Sequence, residues 1–352
     1  MTIERTNLKH HFPLIRDRMT ILDEISSSVT LSAIFNSWST EQQNQFLDMC
    51  TGVRGIKILY DSFFKEIFNP DATPERLSAL LSQLLKRTVT VKEILPNDGS
   101  RLGDDKSLTI ADIVVKLEDG SLANVEVQKI GYLFPGERAS CYCADLLLRQ
   151  YKRVRAEKKE LFTYKDLNPV YTIIFMENSP ACFKEFPNNY IHYISEKSDT
   201  GINLRFLQNF IFVPVDIFMA KLHNNGINSE LDAWLTFMGC DEPKYIIKLI
   251  EAYPKFKPMY TQLYDMCLNI EGVMNMFSKE LQTLDRNTVI YMIDELQEQL
   301  DERKSELDDT TTKLSEATAK LDDTTAKLDD TTAKLDEANA TIQKFIEKYG
   351  PL

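Results

Sequence analysis

The sequence lacks the features of several large protein classes, and each absence narrows the range of functions. It contains six cysteines but no pair at CxxC spacing, so the pattern predicts neither a zinc ribbon nor a disulfide framework. No stretch approaches the roughly 18 consecutive apolar residues of a membrane span. The polar N-terminal segment does not fit a secretory signal. We therefore expect a cytoplasmic protein with reduced thiols and no membrane partner.

Histidine is scarce as well. The four histidines have no metal-ligand spacing, the glycines form no loop of the kind that cradles phosphate, and no Ser/His/Asp or Cys/His arrangement is suggested by local sequence. The sequence therefore gives no indication of a histidine zinc centre, a P-loop or a serine or cysteine hydrolase.

The net charge of −12 is distributed unevenly along the chain. Residues Asp294 to Glu337 contain 15 acidic and 6 basic side chains, a local balance of −9, which leaves −3 for the rest. The body instead contains a basic run, RQYKRVRAEKK, over residues 149–159. Such a run is either a solvated helix face or, if a site lies beside it, a phosphate-binding surface.

The hydrophobic pattern divides the chain into four segments, and 43% hydrophobic content is enough for a large core. Residues 1–54 are interpreted as an N-terminal helical segment, although 1–38 show no clean periodicity and only Ser39-Thr40-Glu41-Gln42 clearly opens a helix. Residues 55–225 are predicted to form an α/β domain, 226–286 a helical region and 287–346 a coiled coil. Within the second segment the predicted order is helix, three-strand meander, helix, strand.

The tail contains a repeat, TTAKLDD, that places one apolar residue at every seventh position. These residues are Leu307, Leu314, Leu321, Leu328, Leu335 and Ile342. A seam with this period is typical of a coiled coil, so we expect a homo-oligomer formed through residues 287–346. Threonine occupies most of the other core positions in either register, which predicts a weak coil. The alternative is a single solvated helix.

A hairpin loop at Glu118-Asp119-Gly120 carries the candidate chemistry. If these three residues form the loop, Leu117 pairs with Ser121 and Asp112 lies directly opposite Glu126. Gln128 joins the same face. Two carboxylates side by side in an apolar sheet repel each other unless a cation lies between them, and oxygen ligands suit Mg²⁺ or Mn²⁺. The alternative is a register shifted by one, which turns the two carboxylates to opposite sides.

These residues resemble the PD-(D/E)XK nuclease signature, with Asp112 and Glu126-Val127-Gln128 on consecutive strands. YDSFFKEIFNP at 60–70, LTIADIVVKLEDGSLANVEVQ at 108–128 and the GERASCYCADLLLRQYKRV helix are similar to its recombination-promoting nuclease, or transposase, branch. The resemblance covers about 55–180 and implies a restriction-endonuclease-like core. It further implies that Asp112 and Glu126 are metal ligands, that Gln128 is the third active-site group and that Glu66 is an extra ligand.

The sequence departs from this signature at two positions. Ala111 replaces the motif's proline, and Gln128 replaces its lysine, so the positive charge is absent unless Lys65 supplies it from the first helix. We expect a Mg²⁺-dependent (or Mn²⁺-dependent) DNA endonuclease linked to recombination or mobile elements. The alternative is a catalytically inactive nuclease fold that binds DNA or mediates oligomerisation. The residues expected to contact the DNA backbone are Arg138, Arg149, Lys152, Arg153 and Arg155.

Overall fold

A mixed β-sheet positions the candidate site. The computed structural model describes residues 8–95, 113–130, 136–195, 198–202 and 204–350, without the side chains of 61, 129, 130, 283–299, 301, 302, 348 and 349. Within these ranges, six strands form one sheet. They are β1 (Val91–Ile94), β2 (Ile113–Leu117), β3 (Leu122–Ile130), β4 (Val170–Asn178), β5 (His192–Ile194) and β6 (Gln208–Pro214).

The strand order β1-β2-β3-β4-β6-β5 joins an antiparallel half to a parallel half. Strands β1, β2 and β3 form an antiparallel meander. Strand β4 then lies parallel to β3, β6 lies parallel to β4, and β5 closes the edge antiparallel to β6. The predicted mixed α/β core, with helix, three-strand meander, helix and strand in that order, is confirmed.

Twelve α-helices accompany the described strands. They are α1 (Arg18–Ser27), α2 (Val29–Ser37), α3 (Thr40–Cys50), α4 (Asp61–Ile67), α5 (Pro74–Leu85), α6 (Gly136–Lys158), α7 (Ala181–Lys184), α8 (Val215–Asn225), α9 (Glu230–Gly239), α10 (Pro243–Ala252), α11 (Lys257–Met266) and α12 (Ile270–Tyr349).

The two faces of the sheet carry different cores, because successive side chains of a strand point to opposite faces. The odd-numbered residues of β2, β3 and β4 pack with helices from both ends of the first unit into a large core. The even-numbered residues form a smaller core beneath α6. Members of this smaller core are Val114, Leu122, Ala139, Tyr142, Cys143, Leu146, Val170, Ile174, Met176 and Phe212.

The β2–β3 hairpin adopts the predicted register. Gly120 has the left-handed φ of +82° that its loop position requires. The Leu117 amide donates to the Ser121 carbonyl at 2.8 Å, and Ile113 lies opposite Val125. Asp112, the next residue toward the N-terminus, lies outside the described residues.

The first 54 residues are more regular than their sequence pattern suggests. Helix α3 begins with the expected capping box, in which Ser39 and Gln42 each accept from the other's backbone amide. Helices α1 and α2 were not located by periodicity. Each buries only two side chains, Ile21 and Ile25 in α1 and Leu31 and Phe35 in α2, and so few core positions leave no repeating pattern to recognise.

The chain divides into two compact units, of which the first ends at Asn287 and the second begins at Thr288. The finer division at 54, 225 and 286 stays a prediction. In the second unit the six seam residues are 55–67% exposed, so the predicted coiled coil is neither formed nor excluded by a single chain. No described helix is long and apolar enough to cross a membrane.

Candidate active site

Strand β3 carries Asn124, Glu126 and Gln128 on the face beneath α6. Glu126 is only 1% exposed and lies beside Ile174 of β4. Burying a carboxylate in apolar surroundings is costly unless hydrogen bonds or an opposite charge compensate for the lost water. This position therefore requires a compensating group.

Asn124 supplies one such group. Its Nδ2 atom donates a 2.9 Å hydrogen bond to Glu126 Oε1, and both side chains are buried. Among the described residues, the other atom of that amide, Asn124 Oδ1, has no hydrogen-bond partner. A carboxylate oxygen and an amide oxygen are hard ligands, which suit Mg²⁺ or Mn²⁺. The residues present at this face thus fit a divalent cation.

Asn124 was missed by sequence reasoning, although a signal for it exists. It lies two residues before Glu126 on the same strand, and side chains two apart share a face. The alternation that placed Gln128 beside Glu126 on one side applies equally to Asn124 on the other. The family signature, which begins its second motif at Glu126, does not include the amide that orients this carboxylate.

Gln128 is half-buried and lies in register with Met176. At a rise of about 3.3 Å per residue, its Cα is about 7 Å from that of Glu126, on the same face. An amide at this distance can donate to a phosphate oxygen or accept from a water beside the carboxylate.

The structure does not describe all the predicted ligands. Asp112 lies outside the described residues. Within the part of the chain that is described, no group of three or more His, Cys, Asp or Glu side chains is placed to hold a metal. Of the predicted ligand pair, Glu126 alone lies within the described residues, and the metal-ligand role of both residues stays a prediction.

The two site residues predicted from the first helix lie on α4. Lys65 is half-buried and has a contact of its own, and Glu66 is exposed. The buried residues of α4, among them Phe63 and Phe64, belong to the larger core. The contribution of Lys65 and Glu66 to the site stays a prediction.

The N-terminal half of α6 covers the Glu126 face. Tyr142 packs in the smaller core, and its hydroxyl accepts a 3.0 Å hydrogen bond from Arg138 Nη2. The Arg138 guanidinium also lies 5.4 Å from the centre of that ring. Arg138 itself is exposed. Helix α6 therefore presents the Arg138 charge to solvent, while Tyr142, its hydrogen-bond partner, packs in the smaller core on the Glu126 face of the sheet.

The thiol of Cys143, one residue further along α6, is not a candidate nucleophile. Burial raises the pKa of Cys143 to about 11, so the thiol is neutral near pH 7. A neutral thiol is a poor nucleophile and a poor metal ligand.

The other basic residues of α6 differ in how available they are. Arg149 forms an ion pair with Asp145 one turn earlier, and Arg153 lies 3.9 Å from Glu93 of β1. Arg155 donates to the Tyr151 hydroxyl, and Lys152 is exposed. Arg149, Arg153 and Arg155 therefore interact with neighbouring protein side chains, whereas the Lys152 side chain is exposed to solvent.

A comparison with family models identifies this arrangement. The model described as a PD-(D/E)XK nuclease family transposase matches residues 58–293, about two thirds of the chain. The match includes the whole sheet, α6, the helices up to α11 and the beginning of α12. No curated protein and no solved structure gave a match.

We predict that Asn124 and Glu126 are energetically coupled in the absence of metal. Asn124→Leu should lower the free energy of unfolding by about 1–3 kcal/mol, because the buried carboxylate loses a hydrogen-bond donor. Glu126→Leu combined with Asn124→Leu should be less damaging than the single Asn124 change, since no buried charge is left. Urea unfolding of Asn124→Leu, Glu126→Leu and the double variant in EDTA measures the coupling, and simply additive losses would contradict it.

Proposed function

The chain belongs to the PD-(D/E)XK nuclease family of transposases, and we propose that it is a metal-dependent DNA endonuclease that hydrolyses phosphodiester bonds. A role in recombination or in the movement of mobile elements is part of the proposal. The observation that supports this proposal most directly is the buried Glu126 carboxylate. It accepts a hydrogen bond from Asn124, and Gln128 lies two residues further on the same face of β3. An apolar residue would pack better at position 126, so the presence of a buried carboxylate there points to a chemical role.

The proposed ligands of Mg²⁺ or Mn²⁺ are Asp112 and Glu126, with Glu66 as an extra ligand. A bound divalent cation polarises a phosphate oxygen and lowers the pKa of a water molecule, which is the chemistry of phosphodiester hydrolysis. Asn124 holds the Glu126 carboxylate in one orientation through its 2.9 Å hydrogen bond.

Gln128 is proposed to position the substrate. Its amide can donate to a phosphate oxygen or accept from the attacking water, but it carries no charge and cannot act as a base. Lys65 is the proposed source of positive charge in place of the motif's lysine. Arg138, Arg149, Lys152, Arg153 and Arg155 would contact flanking phosphates, the first and the last being the most exposed of the arginines.

The second candidate function is a catalytically inactive nuclease fold that binds DNA or mediates oligomerisation. The replacement of the motif's lysine by Gln128 favours it, because the site then lacks one positive charge. The two functions differ in one observable, since only the enzyme converts supercoiled plasmid to open or linear forms.

We predict that the purified protein nicks or linearises supercoiled plasmid in Mg²⁺ or Mn²⁺ and not in EDTA. Asp112→Asn and Glu126→Gln should each abolish cleavage, because each removes a ligand charge while keeping the side-chain shape. DNA binding with no cutting by the wild type in any metal would overturn the nuclease and favour the second candidate.

The same assay grades the role of Gln128. Loss of one positioning hydrogen bond costs about 3 kcal/mol of barrier, roughly a hundredfold in rate, so Gln128→Ala should cut slowly at saturating metal. Gln128→Lys should keep activity, since it restores a positive charge. Gln208→Ala is the matched control, because Gln208 is also half-buried at a strand position of the same sheet. Equal rates for both alanine variants would remove Gln128 from the mechanism.

The second unit is proposed to associate with the same segment of another copy. Its stripe of leucines and Ile342 is more than half exposed, and charged residues flank the leucines in a regular sequence pattern. Lysine precedes the leucine at Lys313, Lys320, Lys327 and Lys334, and aspartate follows it at Asp308, Asp322, Asp329 and Asp336. In either coiled-coil register only one of these two charged positions borders the apolar core, so the charges do not fix the relative direction of the two helices.

We predict that replacing Leu321 and Leu328 by lysine in the full chain lowers the mass measured by light scattering to that of one chain. Replacing Ala319 and Ala326 by lysine adds the same charge on the opposite side of the helix and should leave the mass unchanged. A wild type with the mass of a single chain would reject association through this segment.

A further inference from the structure

The C-terminal end of α6 carries a cluster of three aromatic rings that the nuclease site does not use. Tyr151 of α6 stacks on Tyr164, with ring centres 6.1 Å apart and planes 9° from parallel. Phe162 meets both rings edge-on, at 5.4 Å from Tyr151 and 5.5 Å from Tyr164. Despite these contacts, Tyr164 is 75% exposed. The outermost ring of the stack is thus held in place but not covered.

The turn that presents Tyr164 is fixed by polar contacts. Asp166 Oδ2 accepts from the Thr163 amide at 2.8 Å and from its hydroxyl at 3.2 Å, and Lys158 of α6 pairs with the same carboxylate. The Lys158 and Thr163 hydrogen bonds hold the pKa of Asp166 below its usual value, so this acceptor is ionised at neutral pH. The ring therefore has little conformational freedom to lose on binding a ligand.

The surroundings of the stack are basic. Residues 149–165 contain seven Lys or Arg and two Glu, a balance of +5 in a chain whose total is −12. Among the described residues, the exposed side chains of Lys152, Lys159 and Lys165 have no carboxylate within 4 Å. Arg155 lies over Tyr151, with its guanidinium carbon 5.6 Å from the ring centre. This surface therefore combines an exposed aromatic ring, Tyr164, with lysine side chains that form no ion pair among the described residues.

We propose that Tyr151, Phe162 and Tyr164, with the lysines around them, form a stacking platform for an unpaired base of single-stranded DNA. Aromatic rings within a basic groove are the chemistry by which proteins bind single strands, because every base has a face that can stack. The bases of a duplex are stacked on one another, so a fixed outer ring gains this contact only from an unpaired one. This inference rests on the proposed function in one respect, that DNA is the substrate, and it deepens that function by naming single-stranded DNA as the form that this surface binds.

The platform and the candidate site are joined by rigid elements. Gln150, next to Tyr151, pairs with the backbone of Asn168 through two hydrogen bonds of 3.2 and 2.6 Å, just before β4 begins. Val170 of β4 lies in register with Leu122, four residues before Glu126. Four residues of strand correspond to about 13 Å. The platform therefore lies near the end of the sheet at which β3 and β4 begin, and Glu126 lies further along β3 from that end.

The competing explanation is that the three rings only pack the turn against α6. Substitutions at Tyr164 separate the two, because Tyr164→Leu keeps apolar area but loses the flat ring, and Tyr164→Phe keeps the ring. Phe186→Leu is the matched control, since Phe186 is a second exposed aromatic, 54% accessible, outside the basic run.

The test measures binding in EDTA, so that cleavage plays no part. The probes are a fluorescently labelled 20-nucleotide oligo(dT) and a 20-base-pair duplex. We expect Tyr164→Leu to weaken oligo(dT) binding about tenfold, which corresponds to about 1.4 kcal/mol of stacking, and to change duplex affinity less than twofold. Tyr164→Phe and Phe186→Leu should match the wild type. An equal loss for both probes, or no loss for oligo(dT), overturns the platform.

A reporter variant gives a readout that does not depend on affinity. The two native tryptophans, Trp38 and Trp234, are buried, so Tyr164→Trp adds the exposed indole. Stacking of thymine on that ring should quench its fluorescence when oligo(dT) is added, whereas Phe186→Trp should not respond. An unquenched Tyr164→Trp with bound oligo(dT) contradicts the platform alone, while a wild type that binds neither probe contradicts DNA as the substrate.

A parallel titration with oligo(U) distinguishes DNA from RNA as the ligand. Tighter binding of oligo(U) than of oligo(dT) would overturn the assignment to DNA.

Discussion

The burial of one carboxylate is the constraint on which the rest of the site depends. Glu126 lies in the middle of a sheet, next to Ile174 and beneath α6, where it is 1% exposed. A lone charge in such a position would be neutralised by a proton or would destabilise the fold. Asn124 contributes one hydrogen bond and leaves its own amide oxygen without a partner among the described residues. Both observations fit the proposal that a divalent cation binds beside Glu126.

The strands on both sides of β3 and helix α6 hold Asn124, Glu126 and Gln128 in position. The tight loop at Gly120 fixes the register of β2 against β3, and the parallel pairing of β3 with β4 fixes the opposite side. Helix α6 covers the same face from the candidate site, near Tyr142, to the aromatic stack at Tyr151. One helix thus connects the proposed chemistry to the proposed contact with an unpaired strand.

Of the two hairpin registers that the sequence left open, the structure shows the one that the loop at Gly120 favours. A glycine with φ of +82° in a three-residue loop has few conformational alternatives, and alternation then fixed the face of every residue that followed. The pairing of Arg153 with Glu93 could not be predicted, because the two residues are 60 positions apart in the chain and meet only when α6 docks on the sheet. The stack of Tyr151 on Tyr164 likewise depends on a turn held by Asp166, which no periodicity reveals. Helices α1 and α2 were not predicted from the sequence for a related reason, since each contributes only two residues to the core.

Direct measurement of Mn²⁺ binding by calorimetry tests the central claim, that a cation compensates the buried Glu126 carboxylate. The wild type should bind Mn²⁺ and gain resistance to urea in its presence, because a ligand that binds only the folded state stabilises it. Glu126→Gln should lose both the binding and the gain, while keeping the wild-type secondary structure. Equal Mn²⁺ binding by the wild type and Glu126→Gln, or none by either, would contradict the assignment of Glu126 as a metal ligand.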